Sequence, residues 1–495
     1  MPDSQGAPSR PKTATLSRHW NLAVLAAAGF ATAIGTTATS EAVAHPKAEA
    51  APAIPVGSGA PGGASPKGDE DTGEAEGHDD RGNHDKESKG NHGKGGHGDR
   101  SDHDEFSGHH YGEATRYVEC DPNDLVAVLA DLNSERGGEV VLAKDCTYTL
   151  TSNLDGNGLP EITQPISIRG NGATIQRAAN ADQFRLFEVG TGGDLKLRHL
   201  TLTRGTTAPG EDGAAVNVHA SGRLDLDHVT ITRNSVDNPE NNEDAGGIYN
   251  EGVTTIRNST LSKNTGQDAP ALLSFGGKVE ITGSKITGNV SDPTGYAALY
   301  NELGTLTIKK SLVSYNYAYT GGGLYNYSGT SRVEQSVFEY NHGDYGAGIG
   351  HGEGTLTVRD STVAYNTAIS GGGGGLHLGD SAALENTKIY GNVATDSDGG
   401  GAYVSTGDDA PVVFRDSKIH DNQAPGNGFS GGGIYVDSGT VNLTDTKVTG
   451  NISDEPAGGV HNLGTVTTNG KVRIVDNVPT NCQATGTNTV PNCFG

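Results

Sequence analysis

Asparagine returns along this chain at a nearly fixed interval: Asn234, Asn264, Asn289, Asn316, Asn341, Asn366, Asn392, Asn422, Asn451 and Asn477, in steps of 25 to 30 residues. Its surroundings return with it. Three residues before each marker stands an apolar residue, as in Ile231, Leu261, Ile286, Val313, Phe338 and Val363. Eight before it stands another, as in Leu226, Ile256, Ile281, Ile308 and Val333. Five before it comes Ser or Thr, as in Ser259, Ser284 and Ser311, and further upstream a glycine cluster leads into GGIYN (Gly246–Asn250) or GGGLYN (Gly321–Asn326). Short alternating apolar runs at this period mean stacked coils of β-strand. Each strand is too short to bury anything alone, but pairs with its copy one coil away, about 4.8 Å distant.

The rest of the coil supplies the crossover that parallel strands require. Glycines, 75 in all, suit the corners, and an Asn column can bond its copies above and below. The glycine content and the lack of helical periodicity exclude leucine-rich and helical repeats. One helix is expected, Pro122 to Asn133. Asp121 caps it, Pro122 fits its first turn, and Val126, Leu129 and Ala130 share a face beside Leu125 and Leu132. Placed there, it would cover the first open strand edge. Four cysteines in an exported chain allow three pairings. About a dozen coils would hold the two ends roughly 50–60 Å apart, which leaves Cys120–Cys146 and Cys482–Cys493 as the reachable disulfides.

Ahead of the repeats the polymer changes twice. Residues 1–44 read as an export signal: Arg10, Lys12 and Arg18, then an apolar run from Leu22 to Ile34, then Ala42-Val43-Ala44 before His45. That run is shorter than the roughly 20 residues that span a bilayer, so the mature chain is expected free of a transmembrane segment and outside the cell or on its wall. Residues 45–115 are expected to be a disordered spacer, because a Gly/His/Asp/Lys-rich segment with few apolar residues cannot offset its ordering entropy. His78, His84, His92, His97 and His103 could hold a transition metal loosely, but a solvated linker accounts for them. Residues 116–495 form the repeat domain. A net charge of −25 argues against nucleic acid as a partner.

The pattern GGGLYN…GTLTV-x-x-ST-V-x-x-N resembles the repeats of polymorphic outer membrane proteins. The lead-in Gly137–Arg177 resembles the opening coils of the wider pectate-lyase-like superfamily. The resemblance spans roughly Val118 to Gly495 and implies an all-β, right-handed parallel β-helix. No transmembrane β-barrel sequence follows, so autotransport is not expected.

Polygalacturonases of this superfamily carry a Gly-His-Gly in their active sites, and Ile349 to Gly354 here read IGHGEG. In register, however, His351 falls in the Asn slot of IYNE and LYNE, and the remaining polygalacturonase residues are not found beside it. It is expected to be a substitution within the repeat. Seven residues before the marker, the column Lys309, Glu334, Arg359, Glu385, Arg415 alternates in sign, as cross-strand pairing would arrange it. The nearest approach to a catalytic set is Asp225 and Glu280, two coils or about 9.6 Å apart, flanked by Asp227 and Arg257. That separation is at the wide limit for an inverting glycosidase, and Ca2+ could bridge the carboxylates.

Two tyrosine columns offer ligand binding instead. Tyr249, Tyr300, Tyr325, Tyr403 and Tyr435 follow the glycine cluster, with His377 and His461 in the same slot, while Tyr315, Tyr340 and Tyr365 each precede a marker Asn. Such rings can hold sugars or simply stack on each other. The expected function is an extracellular binding or adhesion module for polysaccharide or cell-surface material, with no cofactor. A polysaccharide lyase or glycosidase, or a structural envelope protein, are the alternatives.

Overall fold

The computed structural model describes residues 115–208, 211–236, 245–407, 409–485 and 488–494. The predicted export signal and the predicted spacer, with the candidate metal-binding His78, His84, His92, His97 and His103, lie outside the described residues except for Thr115.

The described chain is a parallel β-solenoid of about thirteen coils. Three long sheets run its length, with 14, 12 and 13 strands, and every strand pairs in parallel with its copy one coil away. One coil shows the plan. Leu324 and Asn326 lie in one sheet within strand Gly321–Tyr327, the chain turns into Gly329–Glu334 in the next, and then into Val337–Glu339 in the third. A two-residue strand, His342–Gly343, extends the coil before a loop leads into the next, Ile349–His351. Alternation decides which side chains enter. Thr305–Lys309 buries Leu306 and Ile308 and turns Thr305, Thr307 and Lys309 outward. Stacked on their copies, these aliphatic columns form one continuous core.

The marker asparagines lie in a single buried column, as predicted. Asn316 shows its bonding in full. Its Nδ2 donates to Ile286 O (3.0 Å) and to Asn341 Oδ1 (2.9 Å), and its Oδ1 accepts from the backbone N and the Nδ2 of Asn289, both at 3.0 Å. Two donors and two acceptor sites are all used, which is the complete capacity of an amide. The same links run from Asn234 to Asn477, and Asn481 ends the series by accepting from Asn477 N at 3.1 Å. A serine column runs parallel to it: Ser284 N donates to Ser311 Oγ, and Ser311 N to Ser336 Oγ, each at 3.1 Å.

The helix spans Pro122–Ser134, and Asp121 Oδ1 accepts from Asn123 N at 2.8 Å. Leu125, Leu129 and Leu132 are buried, whereas Val126 is half-buried and Ala130, expected on the packed face, is exposed. The stripe is set by the leucines, and Ala130 lies about 100° round the helix from Leu129. The helix packs on Arg116–Val118 and Thr147–Leu150, which are the first strands of two sheets. It thus covers the edge that parallel pairing leaves open. Cys120–Cys146 and Cys482–Cys493 are both bonded.

Replacing Asn316 by Ala leaves several buried groups without partners, each costing about 1–3 kcal/mol. The expected loss is on the order of 3 kcal/mol in denaturant unfolding; a loss below about 1 kcal/mol would show that the amide column does not hold the stack.

Candidate functional site

The residue before each marker Asn is left-handed in every coil where it is described. Along the solenoid the column reads Arg233, Lys263, Gly288, Tyr315, Tyr340, Tyr365, Gly391, Asp421, Gly450 and Asp476, and Arg204, before Gly205, takes the same place one coil earlier, with φ between 54° and 67° throughout. An L-residue there costs roughly 1–2 kcal/mol against glycine, and three coils use glycine. Three successive coils use tyrosine. Tyr315, Tyr340 and Tyr365 are 61%, 44% and 43% exposed, with ring centroids 5.0 and 5.2 Å apart and planes within 12°. Both faces of Tyr340 are therefore covered by neighbouring rings, and solvent reaches its edge and hydroxyl. Tyr315 keeps one face clear, because the next position is Gly288, where an added Cβ would meet only Lys263 Cγ at 3.9 Å. At the other end Tyr365 leans over Gly391, whose added Cβ would lie 2.6 Å from Tyr365 Cδ1. Tyr317, Tyr319 and Tyr345 are exposed on the same coils.

The other tyrosine column is more enclosed. Tyr300 is 3% exposed and packs between Tyr296 and Tyr325, at 4.6 and 5.7 Å. Burial pushes the phenols of Tyr300 and Tyr325 well above their ordinary range. Tyr403 and Tyr435 are half-buried, stacked at 5.3 Å between His377 and His461, and burial pushes Tyr435 up to about 12.

This column explains the Gly-His-Gly. Gly350 and Gly352 lie beneath the Tyr325 ring: added Cβ atoms would meet Tyr325 Cδ2 at 2.8 Å and Tyr325 Oη at 2.6 Å. His351 between them points inward and is fully buried. Asn326 Nδ2 lies 3.2 Å from its Nδ1, and its Nε2 lies 3.1 Å from Ser381 O. Since a carbonyl only accepts, the hydrogen is on Nε2 and Nδ1 accepts. Burial holds this imidazole below its ordinary pKa. It takes the place of an amide and has no path to solvent.

The carboxylates sit on the outward face of the first sheet. Asp225 accepts from Arg257 Nη1 at 2.9 Å, and Thr255 stands between Asp225 and Glu280 in register. Asp227 accepts from Asn258 (3.1 Å) and His228 (2.9 Å). Partial burial opposes ionisation there, but those hydrogen bonds hold its carboxyl below the usual range. The alternating column pairs as expected, with Lys309–Glu334 at 3.7 Å and Arg359–Glu385 at 3.2 Å. A shallow polar cleft lined by Arg359, Asp360, Glu385, Asn386 and Asp416 adjoins it. Among the described residues no three His, Cys, Asp or Glu side chains converge as a metal site, and no helix is long and apolar enough to cross a membrane.

Two groups escape the sequence reading. The left-handed column begins with Arg204, Arg233 and Lys263, all exposed; reading the residue before each marker for charge as well as aromaticity would have found them. The second is a network around Arg185, which is 3% exposed and paired with Glu188 and Glu211. Glu188 Oε1 meets His219 Nε2 at 2.6 Å, and Glu188 Oε2 accepts from Asn157 at 2.5 Å. The hydrogen bond to Glu188 raises the His219 pKa. Glu188 is held low by His219 and Asn157, against the opposing effect of burial. No repeat marks this site, because it is confined to the first coils.

Residues 214–392 match the family described as a right-handed beta helix region. No curated protein matches the chain. Among solved structures, the A-module of a mannuronan C-5 epimerase from Azotobacter vinelandii aligns at 12% identity over 74% of this chain and 95% of that one, with a TM-score of 0.33. A periplasmic alginate epimerase aligns at 11% identity over 71% of each chain, with a TM-score of 0.31. A surface adhesin of Streptococcus pneumoniae aligns at 12% identity over 72% and 92%, with a TM-score of 0.30.

The buried imidazoles make stability pH-dependent. His377, which burial holds down to about 4, and likewise His351 are neutral in the folded chain, while in the unfolded chain each takes up a proton below its ordinary 6.5. Stability is therefore complete above that value and falls as pH drops below it, for His377 by about 1.4 kcal/mol per pH unit between 6.5 and about 4, and for His351 in the same direction. His219 contributes with the opposite sign. Melting temperatures measured at pH 7 and pH 4.5 should fall less in His377→Tyr, which copies the neighbouring Tyr403 slot, and in His351→Asn, which restores the amide. Equal falls in wild type and both variants would refute this.

Proposed function

We propose that this protein is a noncatalytic extracellular module that binds polysaccharide or cell-surface material along its exposed tyrosine column. The observation that carries this reading is the left-handed Tyr315, Tyr340 and Tyr365 ladder. Three successive coils bear a backbone cost that glycine relieves elsewhere in the same column, and in return present hydroxyls, ring edges and one clear face to solvent. The clear face of Tyr315 fits a sugar ring, and the stacked neighbours stiffen it. Export by the 1–44 signal, display on the 45–115 spacer and kinship with the polymorphic outer membrane protein repeats belong to this proposal.

An enzymatic reading has one observation in its favour, the Glu188–His219 pair, a carboxylate that raises the basicity of a partly exposed imidazole. In that reading His219 would exchange protons with a polysaccharide, and Asp225, Asp227, Arg257 and Glu280 would flank the bound chain on the adjacent sheet.

Because glycine already occupies this corner in other coils, Tyr→Gly is a mild test. Relief of backbone strain offsets the lost stacking of about 0.5–1.5 kcal/mol per pair, so the melting temperature should barely move. On a glycan array, Tyr315→Gly should weaken binding about fivefold and the triple Tyr315→Gly, Tyr340→Gly, Tyr365→Gly should nearly abolish it. Release of reducing ends or unsaturated products that persists in the triple variant and vanishes in His219→Ala or Glu280→Gln would replace this reading with the enzymatic one.

A further inference from the structure

The exposed tyrosine column belongs to a chain that offers an oxidant few other groups. The side chains that compete with a phenol for a one-electron oxidant are the free thiol, the thioether and the indole. The single Met and the single Trp are Met1 and Trp20, so residues 45–495 hold neither. All four cysteines are bonded, as Cys120–Cys146 and Cys482–Cys493, and no free thiol remains. Tyrosine is therefore the most easily oxidised side chain of the solenoid.

Accessibility narrows this to one place. Among the described residues every exposed tyrosine except Tyr117 lies between Tyr315 and Tyr365. Tyr340 stands at the centre, parallel to Tyr315 within 6° at 5.0 Å and to Tyr365 within 12° at 5.2 Å. The three residues have φ of 55°, 54° and 55°. Their rings are thus near-copies displaced by one coil, and equivalent carbons of neighbouring rings face each other. The carbons ortho to the hydroxyl lie toward the edge that solvent reaches. The enclosed column lacks this combination. Tyr300 stacks on Tyr296 more closely, at 4.6 Å, but is 3% exposed; an oxidant does not reach it, and its proton has no route to water.

We propose that the Tyr315–Tyr340–Tyr365 ladder is a site of oxidative coupling, at which hydrogen peroxide acting through a one-electron peroxidase joins rings of neighbouring coils as dityrosine. Each of two phenols gives one electron to the peroxidase and its hydroxyl proton to water, leaving two phenoxyl radicals. The radicals combine through a carbon–carbon bond between ortho positions. Each of those carbons then loses its hydrogen as a proton while the phenolic oxygen regains one, which restores both aromatic rings. In sum, two tyrosines lose two electrons and two protons, and one hydrogen peroxide is reduced to two waters. The bond ties consecutive coils at the surface as the Asn column ties them in the core, and it restrains the unfolded chain as a disulfide does. This inference concerns the same column as the polysaccharide reading but does not depend on it, since coupling needs no sugar.

The test treats the full chain with a haem peroxidase and limiting hydrogen peroxide, with no polysaccharide present. Dityrosine fluorescence and mass mapping of the digested product are measured. Links Tyr315–Tyr340 and Tyr340–Tyr365 are expected within single chains, and the coupled protein should melt at a higher temperature than the untreated one. Tyr340→Phe keeps the stack but removes the phenol that both links require. It also leaves Tyr315 and Tyr365 two strand spacings, about 9.6 Å, apart. This variant should melt as wild type does before oxidation and lose most of the fluorescence after it, whereas Tyr117→Phe should keep the fluorescence. Equal fluorescence in wild type and Tyr340→Phe would overturn the proposal. So would links confined to Tyr117 or to the edge-on pair Tyr319 and Tyr345, or coupling found only between molecules.

Discussion

Everything in this molecule depends on the buried amide column. A parallel stack of short strands has no hairpins to fix its register, so something else must tie each coil to the next. The marker asparagines do this because one amide has two donors and two acceptor sites, and each coil asks for that number. Asn316 bonds up to Asn341, down to Asn289 and sideways to Ile286 O. A register slip of one residue would leave buried polar groups without partners in every coil at once. The aliphatic columns add most of the favourable burial, but they are interchangeable within limits, as the succession Val313, Phe338, Val363 and Ile389 shows. The amide is not.

Once register is imposed, each position in the coil becomes a line along the molecule, and chemistry is organised by line. The inward lines are aliphatic or amide. The outward lines are free to differ, and they do: one alternates in sign and pairs with itself, one passes from threonine to a closing run of Lys388, Lys418, Lys447 and Arg473, and the left-handed corner passes from basic through aromatic to acidic. Glycine marks the corner's conformational demand at Gly288, Gly391 and Gly450. Tyrosine at the same place is thus a side chain held against the preference of the backbone.

The same organisation shows why the Gly-His-Gly misleads when taken as a local motif. Its glycines accommodate a ring from the preceding coil, and its histidine replaces an amide. The Tyr325 ring that sets Gly350 and Gly352 is 25 residues away in sequence and one strand spacing away in space, so a local pattern cannot contain the cause. The Glu188–His219 pair is the converse. It has unusual chemistry and no motif, because its members come from separate coils near the end of the stack, where the repeat is least regular.

The period of the markers, the alternation around them and the glycine clusters determined the parallel solenoid and the amide column; the Asp121-Pro122 start with its leucine spacing determined the capping helix, and the number of coils between the cysteine pairs determined both disulfides. Those follow from one-dimensional facts: a repeat length, a two-residue alternation, and ends too far apart to crosslink. What only the tertiary structure decided is accessibility. Tyr300 and Tyr315 look alike in sequence, yet one is enclosed by Tyr296 and Tyr325 while the other keeps an open face above Gly288. Arg257 and Lys418 are both outward cations, but one has Asp225 at 2.9 Å and the other has only cations above and below. Exposure and charge compensation are properties of neighbours one coil away, and which neighbours those are is settled by register in three dimensions.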